Sequence, residues 1–361
     1  YYSSSDGQGI NSNNRMLTTK INSSGVRQWT RELSYATNNT EQYGFGVAVD
    51  SSGNVYNGGS TYQTGSAASR SYLLAKYNSN GVIQWQKTWY STASSSGSYQ
   101  HFILNLAYTS GNEGLWSAGV STLYDPGGTY SGYTGARQAI HIANWNITTG
   151  EEVGGCLFHT PVNAATGQGG TNIVAYGTDV YVVSDVLSGG YDNYPNSGSD
   201  LLITRINSSR SEVWTRIVGL PEGSYTNGIS SNGEFSGGIA VDSSGNVYVA
   251  GQSYDGSGSG TYDVFIFKFN SSGVIQWQRN FSDQGGSYQD LVGGPCIQCD
   301  NLGSFYLVLG TLTPNSDSPP RHMMVLKLPD DGSLTGTYSL THSGSSAGSY
   351  TYSATSYPDY E

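Results

Sequence analysis

The chain has 361 residues and a formal net charge of −11; 36% are hydrophobic, 12% aromatic and only 11% charged, with 50 Gly, 29 Tyr and 10 Pro. Helical bundles and coiled coils need long runs of Ala, Leu, Glu, Lys and Arg, and collagen needs Gly at every third position with abundant Pro; neither pattern is present. The Lys and Arg, 15 in all, stand singly, so nothing offers a basic patch to phosphates, and neither nucleic acid nor an anionic membrane surface is an expected partner.

The vocabulary is that of strands and turns, with Val, Thr and Tyr between clusters of Gly, Ser and Asn. Residues 1–15 read as a spacer, because they align with 61–70. From Lys20 a strand ending in a basic residue runs into Asn-Ser-x-Gly-Val-x-Gln and ends at Trp29. This is a hairpin about a tight turn, and it recurs from Lys76 to Trp85 and from Lys268 to Trp277. A second hairpin, Gly46-Val-Ala-Val-Asp-Ser-Ser-Gly-Asn-Val-Tyr56, returns almost unchanged from Gly238 to Tyr248. Weaker pairs fill the gaps: 107–119 with 139–155, 173–183 with 201–214, and 296–310 with 323–337.

Lys20, Lys76, Asn144, Arg205, Lys268 and Lys327 mark one register point in each unit. Every unit is therefore expected to hold four short strands, an inner hairpin followed by an outer one. A four-stranded sheet cannot cover both of its faces, so the units must pack on one another. Radial closure is the known solution for a repeat of this size. The predicted fold is all-β, a β-propeller of four-stranded antiparallel blades over 1–341. Its blade segments lie at about 1–33, 45–89, 102–158, 171–218, 237–281 and 294–341, and 342–361 is a Ser/Tyr-rich closing strand or linker. Six blades are visible. The first lacks its inner hairpin, so either the natural chain extends upstream of Tyr1, allowing a seventh blade, or residues 338–352 supply the closing strands.

The run from Val241 to Gly251, continued from Asp263 to Trp277, closely resembles the SBBP-type β-propeller repeat. The likeness extends more loosely over most of 17–340. Such repeats occur in bacterial surface proteins and in virion proteins of tailed phages. The ending from Leu326 to Tyr338, with the Ser and Tyr that follow, resembles segments of cyanophage structural proteins. What the resemblance implies is an extracellular, non-enzymatic structural or adhesion module in a phage tail fibre or other virion appendage, present in multiple copies. A bacterial cell-surface adhesin is the alternative.

In a propeller the turns within hairpins lie on one face and the remaining connections on the other. The first set is short and repetitive here, as at 50–54 and 270–273. The second set is long, varied and rich in Tyr. Residues 122–138 carry Tyr124, Tyr130 and Tyr133, residues 188–200 carry Tyr191 and Tyr194, and residues 220–237 carry Tyr225 and Phe235. Tyr offers a flat amphipathic contact with few rotors to order, while Ser, Gly and Asn offer adaptable hydrogen bonds. That chemistry suits a neutral glycan or a neighbouring virion or surface protein. The same residues would also serve β-rich loops that pack on themselves, and both readings stay open.

Other motifs carry less. The Asp-x-x-Gly-Asn turns at Asp50 and Asp242 hold too few carboxylates for calcium and read as Asx-type hairpin turns. Cys296 and Cys299 have half-site spacing but fall on an inner strand, and with Cys156 they make no disulfide framework. His101, His141, His159, His322 and His342 show no metal-ligand spacing. No metal or other cofactor is expected, and no apolar run is long enough to insert in a membrane. Glycoside hydrolysis stays a minor alternative: Glu151, Glu152, Asp125, Asp192 and Asp255 fix no carboxylate pair at a useful separation. Trp29, Trp85, Trp214 and Trp277 share one repeat position and are expected to seal neighbouring blades, with the basic stems lying along them.

Overall fold

The computed structural model describes residues 15–33, 42–62, 70–89, 101–125, 135–159, 171–187, 199–218, 238–254, 262–283, 296–312, 321–342, 345–354 and 359–360. At several strand ends, 122–125 and 135–138 among them, it describes the backbone alone. The chain divides into two compact units, Tyr1–His159 and Thr160–Glu361.

In the first unit, β1 (Met16–Ile21) and β2 (Arg27–Leu33) form a two-stranded sheet. The second sheet is an antiparallel meander of β3 (Gln42–Val49), β4 (Val55–Tyr62), β5 (Arg70–Tyr77) and β6 (Ile83–Trp89). The third, of the same topology, holds β7 (His101–Tyr108), β8 (Leu115–Asp125), β9 (Gly135–Trp145) and β10 (Glu152–His159). In the second unit, the fourth sheet contains β11 (Asn172–Tyr176), β12 (Asp179–Leu187), β13 (Ser199–Ile206) and β14 (Glu212–Val218). The fifth contains β15 (Gly238–Val241), β16 (Val247–Tyr254), β17 (Tyr262–Phe269) and β18 (Ile275–Asp283). The sixth has only β19 (Ile297–Cys299), β20 (Ser304–Leu312) and β21 (Arg321–Pro329).

The tail departs from expectation. β22 (Gly336–His342) does not complete the sixth sheet; it pairs with β23 (Ser345–Ala354), and β23 lies along β18. β24 (Asp359–Tyr360) pairs with Ile217 and Val218 of β14. Residues 338–352 therefore add to the outer edge of the fifth sheet and supply no strand to β1. The reason is apolar burial: Tyr352 stands opposite Phe281 and both are buried in one core. The added strands also cover an edge that would otherwise invite pairing with another chain.

The second and fifth sheets bury apolar side chains on both flanks. On the second sheet, Leu73, Ala75 and Tyr77 share a core with Met16, Trp29 and Leu33 of the first, while Tyr56, Tyr72 and Leu74 share one with Ile103, Leu106 and Trp145 of the third. The fifth sheet repeats the pattern: Phe265, Phe267 and Phe269 face Tyr181 and Ile203, whereas Val264 and Ile266 face Phe305 and Leu307. Burial on both sides explains why the middle strands read as nearly continuous apolar runs, as in Val264-Phe-Ile-Phe267.

Adjacent sheets within each unit are also joined by a repeated polar clamp. The indole Nε1 of Trp29 and the ammonium of Lys20 both donate to the carbonyl of Ser79, at 3.1 and 3.0 Å. Trp85 and Lys76 do the same to Ile147 (3.1 and 2.9 Å), Trp214 and Arg205 to Ser271 (3.2 and 3.0 Å), and Trp277 and Lys268 to Asp330 (3.1 and 2.9 Å). Ser79, Ile147 and Ser271 belong to outer-hairpin turns of the next sheet, and Asp330 to the turn that follows β21. Beside these carbonyls, Arg31 Nε donates to Gly81, Arg216 Nε to Gly273 and Arg279 Nε to Gly332, while Lys87 pairs with Glu151. The turn glycine is required twice over at this place. Gly273 has φ +78, and a Cβ there would stand 2.7 Å from the Trp214 ring. The third sheet has Asn144 opposite Gly154 at the equivalent register, so it carries no such donor pair.

Trp214→Ala is expected to lower stability by about 3 kcal/mol or more through lost packing, whereas Trp214→Phe, which keeps a ring but loses the donor, should lower it by about 1 kcal/mol. Urea unfolding followed by circular dichroism measures both.

Candidate functional site

The Tyr set predicted for recognition falls mostly outside the described residues: Tyr130, Tyr133, Tyr191, Tyr194 and Tyr225 all do. Tyr124 is an exception with a different setting. It lies within β8, opposite Ala136 of β9, so the hairpin ladder runs on to Asp125 and Gly135 and the connection is shorter than the expected 122–138. Thr122, Leu123 and Tyr124 are strand-favouring residues, and the ladder simply continues through them. The topology does place the ends of these connections. In each meander the turns of the inner and outer hairpins lie at one end, and the segments 63–69, 126–134, 188–198 and 255–261 start and finish at the other.

At the hairpin end the chemistry is satisfied internally. Asp50 Oδ1 accepts from the backbone N–H groups of Ser52 and Asn54, each at 2.9 Å. Its Oδ2 accepts from Asn54 Nδ2 at 2.8 Å and from the Tyr56 hydroxyl at 2.9 Å. Asp242 is bound identically by Ser244, Asn246 and Tyr248. Burial alone would raise these carboxyls, but the hydrogen bonds together outweigh it and hold both below the usual carboxylate range. A carboxylate so occupied is an Asx turn, as expected from the sequence. The turns of the outer hairpins use Asn in the same way: Asn78 Oδ1 accepts from the N–H groups of Asn80 and Val82.

Strand register assembles one polar cluster that the sequence does not advertise. Tyr72 of the second sheet lies between His101 of β7 and His141 of β9, with ring centroids 5.3 and 5.4 Å away. Its hydroxyl shares a 2.8 Å hydrogen bond with His141 Nδ1 and approaches the Val120 carbonyl at 3.2 Å. His141 Nε2 is 3.4 Å from Glu152 Oε1, and His101 Nδ1 is 3.1 Å from Ser121 Oγ. Tyr72 and His101 are buried, and His101 Nε2 has no hydrogen-bond partner. Burial pushes the Tyr72 hydroxyl well above its ordinary range and, with the neighbouring His141, pulls His101 down to about 4. Tyr72 is thus held protonated and His101 neutral near pH 7 within this internal network. His101 and His141 lie far apart in the sequence, and only the pairing of β7 and β9 through β8 brings them together.

Cys296 and Cys299 are free and buried, and burial pushes both thiols up to about 12. They are inert strand cysteines, as their place on an inner strand suggested. Among the described residues no group of three or more His, Cys, Asp or Glu could hold a metal ion. A surface hollow of about 550 Å³ lies along Trp214 and Thr215, with Ser271 on its wall. Its Arg205 and Arg216 are occupied by Asp179 and the Ser271, Gly273 and Thr215 carbonyls. The basic residues two places after each clamp Trp, namely Arg31, Lys87, Arg216 and Arg279, were missed by sequence reasoning, although Trp-x-Arg or Trp-x-Lys recurs visibly.

Comparison with known proteins locates a beta-propeller repeat of the SBBP family at residues 28–64, from β2 to just beyond β4. The chain thus contains one such repeat in an all-β framework of antiparallel meanders with the form of propeller blades. No curated protein matches the chain. Among solved structures, a Synechocystis apocarotenoid oxygenase variant is similar at 12% identity and a TM-score of 0.37, covering 87% of this chain and 69% of the other. The hemagglutinin-neuraminidase ectodomain of parainfluenza virus 5 is similar at 10% identity and a TM-score of 0.39, covering 86% and 74%. Likenesses this remote transfer neither activity nor substrate.

The lowered pKa of His101 makes stability depend on pH. Its contribution is complete above the unfolded value of about 6.5 and is lost as pH falls from there towards about 4. The loss is on the order of 3 kcal/mol. Urea midpoints between pH 7 and pH 4 should fall for the natural chain and fall less for His101→Gln. Asp50 and Asp242 act in a separate window, since their depressed values let stability go only as pH drops below the ordinary carboxylate range.

Proposed function

We propose that the chain is a non-enzymatic, extracellular structural and adhesion module: a six-bladed propeller disc in a phage tail fibre or other virion appendage. Its Tyr-rich connections bind a host surface glycan or a neighbouring virion protein. The observation that carries this reading is the asymmetry between the two ends of each meander. At the hairpin end, Asp and Asn side chains close their own turns and the turn carbonyls are held by the Trp and basic residues of the adjacent sheet. That end is committed to scaffold, which leaves variable contact chemistry to the segments at the opposite end. Their Tyr, Ser, Gly and Asn are suited to sugar rings, which present apolar C–H faces and hydroxyls and need no net charge. A weak single site of this kind gains firm attachment from multiple copies.

Glycan-array binding tests the reading. The natural chain should retain a defined set of glycans, and replacing Tyr130, Tyr133, Tyr191, Tyr194 and Tyr225 by Ala should abolish binding while leaving the urea midpoint in place. Unaltered binding removes the loop-face proposal. Incubation with host polysaccharide should release no oligosaccharide; release would make the module a hydrolase.

A further inference from the structure

The repeat lets the junctions between sheets be compared position by position. Three places contribute to each: the residue two before the register point of one sheet, the residue after the aromatic that pairs with the register point of the next, and the residue after that second register point. Between the fourth and fifth sheets these are Ile203, Val249 and Phe269, and between the fifth and sixth they are Ile266, Leu307 and Leu328. Each set is buried in one apolar core. Between the second and third sheets they are Leu74, Ser117 and Trp145, and there Trp145 Nε1 donates to Ser117 Oγ at 2.9 Å, so the polar pair is satisfied.

The junction of the first and second sheets departs from this pattern at all three places, which hold Thr18, Asn57 and Tyr77. Asn57 is 5% exposed and Tyr77 2% exposed. Asn57 Nδ2 donates to Thr18 Oγ1, and the Tyr77 hydroxyl lies beside the same threonine. Asn57 Oδ1 and the Tyr77 hydroxyl nevertheless have no hydrogen-bond partner. Their surroundings are apolar: Tyr77 shares a core with Met16, Leu33 and Leu73, and its ring centroid is 6.1 Å from that of Trp29. A buried polar atom left unpaired costs more than a made hydrogen bond returns, so two of them in one dry seam call for a common partner.

We infer that Thr18, Asn57 and Tyr77 form a binding site for one internal water molecule, and that the polar seam they make is where the first sheet parts from the second. Water donates one hydrogen to Asn57 Oδ1 and exchanges a second hydrogen bond with the Tyr77 hydroxyl. The Thr18 oxygen is a third partner, which gives the number of contacts that holds a water inside a protein. The guest is neutral because the three side chains carry no charge to offset that of an ion in an apolar junction. The opening follows from the same chemistry. Parting the fourth sheet from the fifth, or the fifth from the sixth, exposes apolar side chains at these three places, whereas parting the first from the second rehydrates Asn57 and Tyr77 and so costs less. At the rim, Trp29 and Lys20 hold the seam closed through the Ser79 carbonyl. This inference is independent of the Tyr-rich connections.

A high-resolution crystal structure of the full chain should place one water within hydrogen-bond distance of both Asn57 Oδ1 and the Tyr77 hydroxyl. Amide hydrogen exchange tests the seam. Thr18→Ile, Asn57→Val and Tyr77→Phe together install the kind of apolar set found at the fourth and fifth sheets; they should expel the water and slow exchange in β1 and β2 about tenfold, with β16 and β17 unchanged. Tyr77→Phe alone keeps the ring and removes one unpaired atom, and it serves if the triple variant does not fold: it should lose the water and slow the same amides about twofold. Lack of a water at this place in the natural chain overturns the inference. Exchange in β1 and β2 that is unchanged or faster in a folded variant overturns it as well.

Discussion

A twisted sheet with two apolar flanks cannot stay in water alone, and the architecture of this chain follows from that. Each complete sheet finds a dry neighbour on both sides within its unit or at least on one, and the sheet-to-sheet spacing is then fixed by a single carbonyl. An indole N–H and a cationic side chain converge on that oxygen, a charge-assisted pair at the rim of an apolar contact. The geometry is demanding: the ring must lie flat on the turn of the next sheet, which admits only a residue without a Cβ. Trp, the basic residue and the turn glycine are therefore one device spread over two repeats.

This device accounts for the composition. Lys20, Arg31, Lys76, Lys87, Arg205, Arg216, Lys268 and Arg279 are engaged at sheet junctions, out of 15 Lys and Arg in the chain. More than half of the positive charge of a chain with net charge −11 is thus held at sheet junctions.

Much of this was legible in the sequence, because a turn that must close on itself and a ring that must cover a turn leave fixed residues at fixed intervals. Asp50 and Asp242 act as the letters suggested, and the four tryptophans seal neighbouring sheets. The route of the tail was not legible. Tyr350, Thr351 and Tyr352 read as a strand of alternating character that could lie on any free edge, and only the contact of Tyr352 with Phe281 decides for β18. The Tyr72, His101 and His141 cluster was hidden for a similar reason: one β-bulge between Ile103 and Asn105 shifts the register that sets those rings side by side. Tyr124 was assigned to a connection because the spacer has no repeat to mark its limits, whereas the ladder carries it into β8.

The direct test of the clamp is the hydrogen exchange of indole N–H groups in a Trp-labelled sample. Trp29, Trp85, Trp214 and Trp277 should exchange slowly, and Lys76→Met should speed Trp85 while leaving Trp214 and Trp277 as they are. Exchange of these four indoles at the rate of free tryptophan, in a chain that is otherwise folded, would contradict the account.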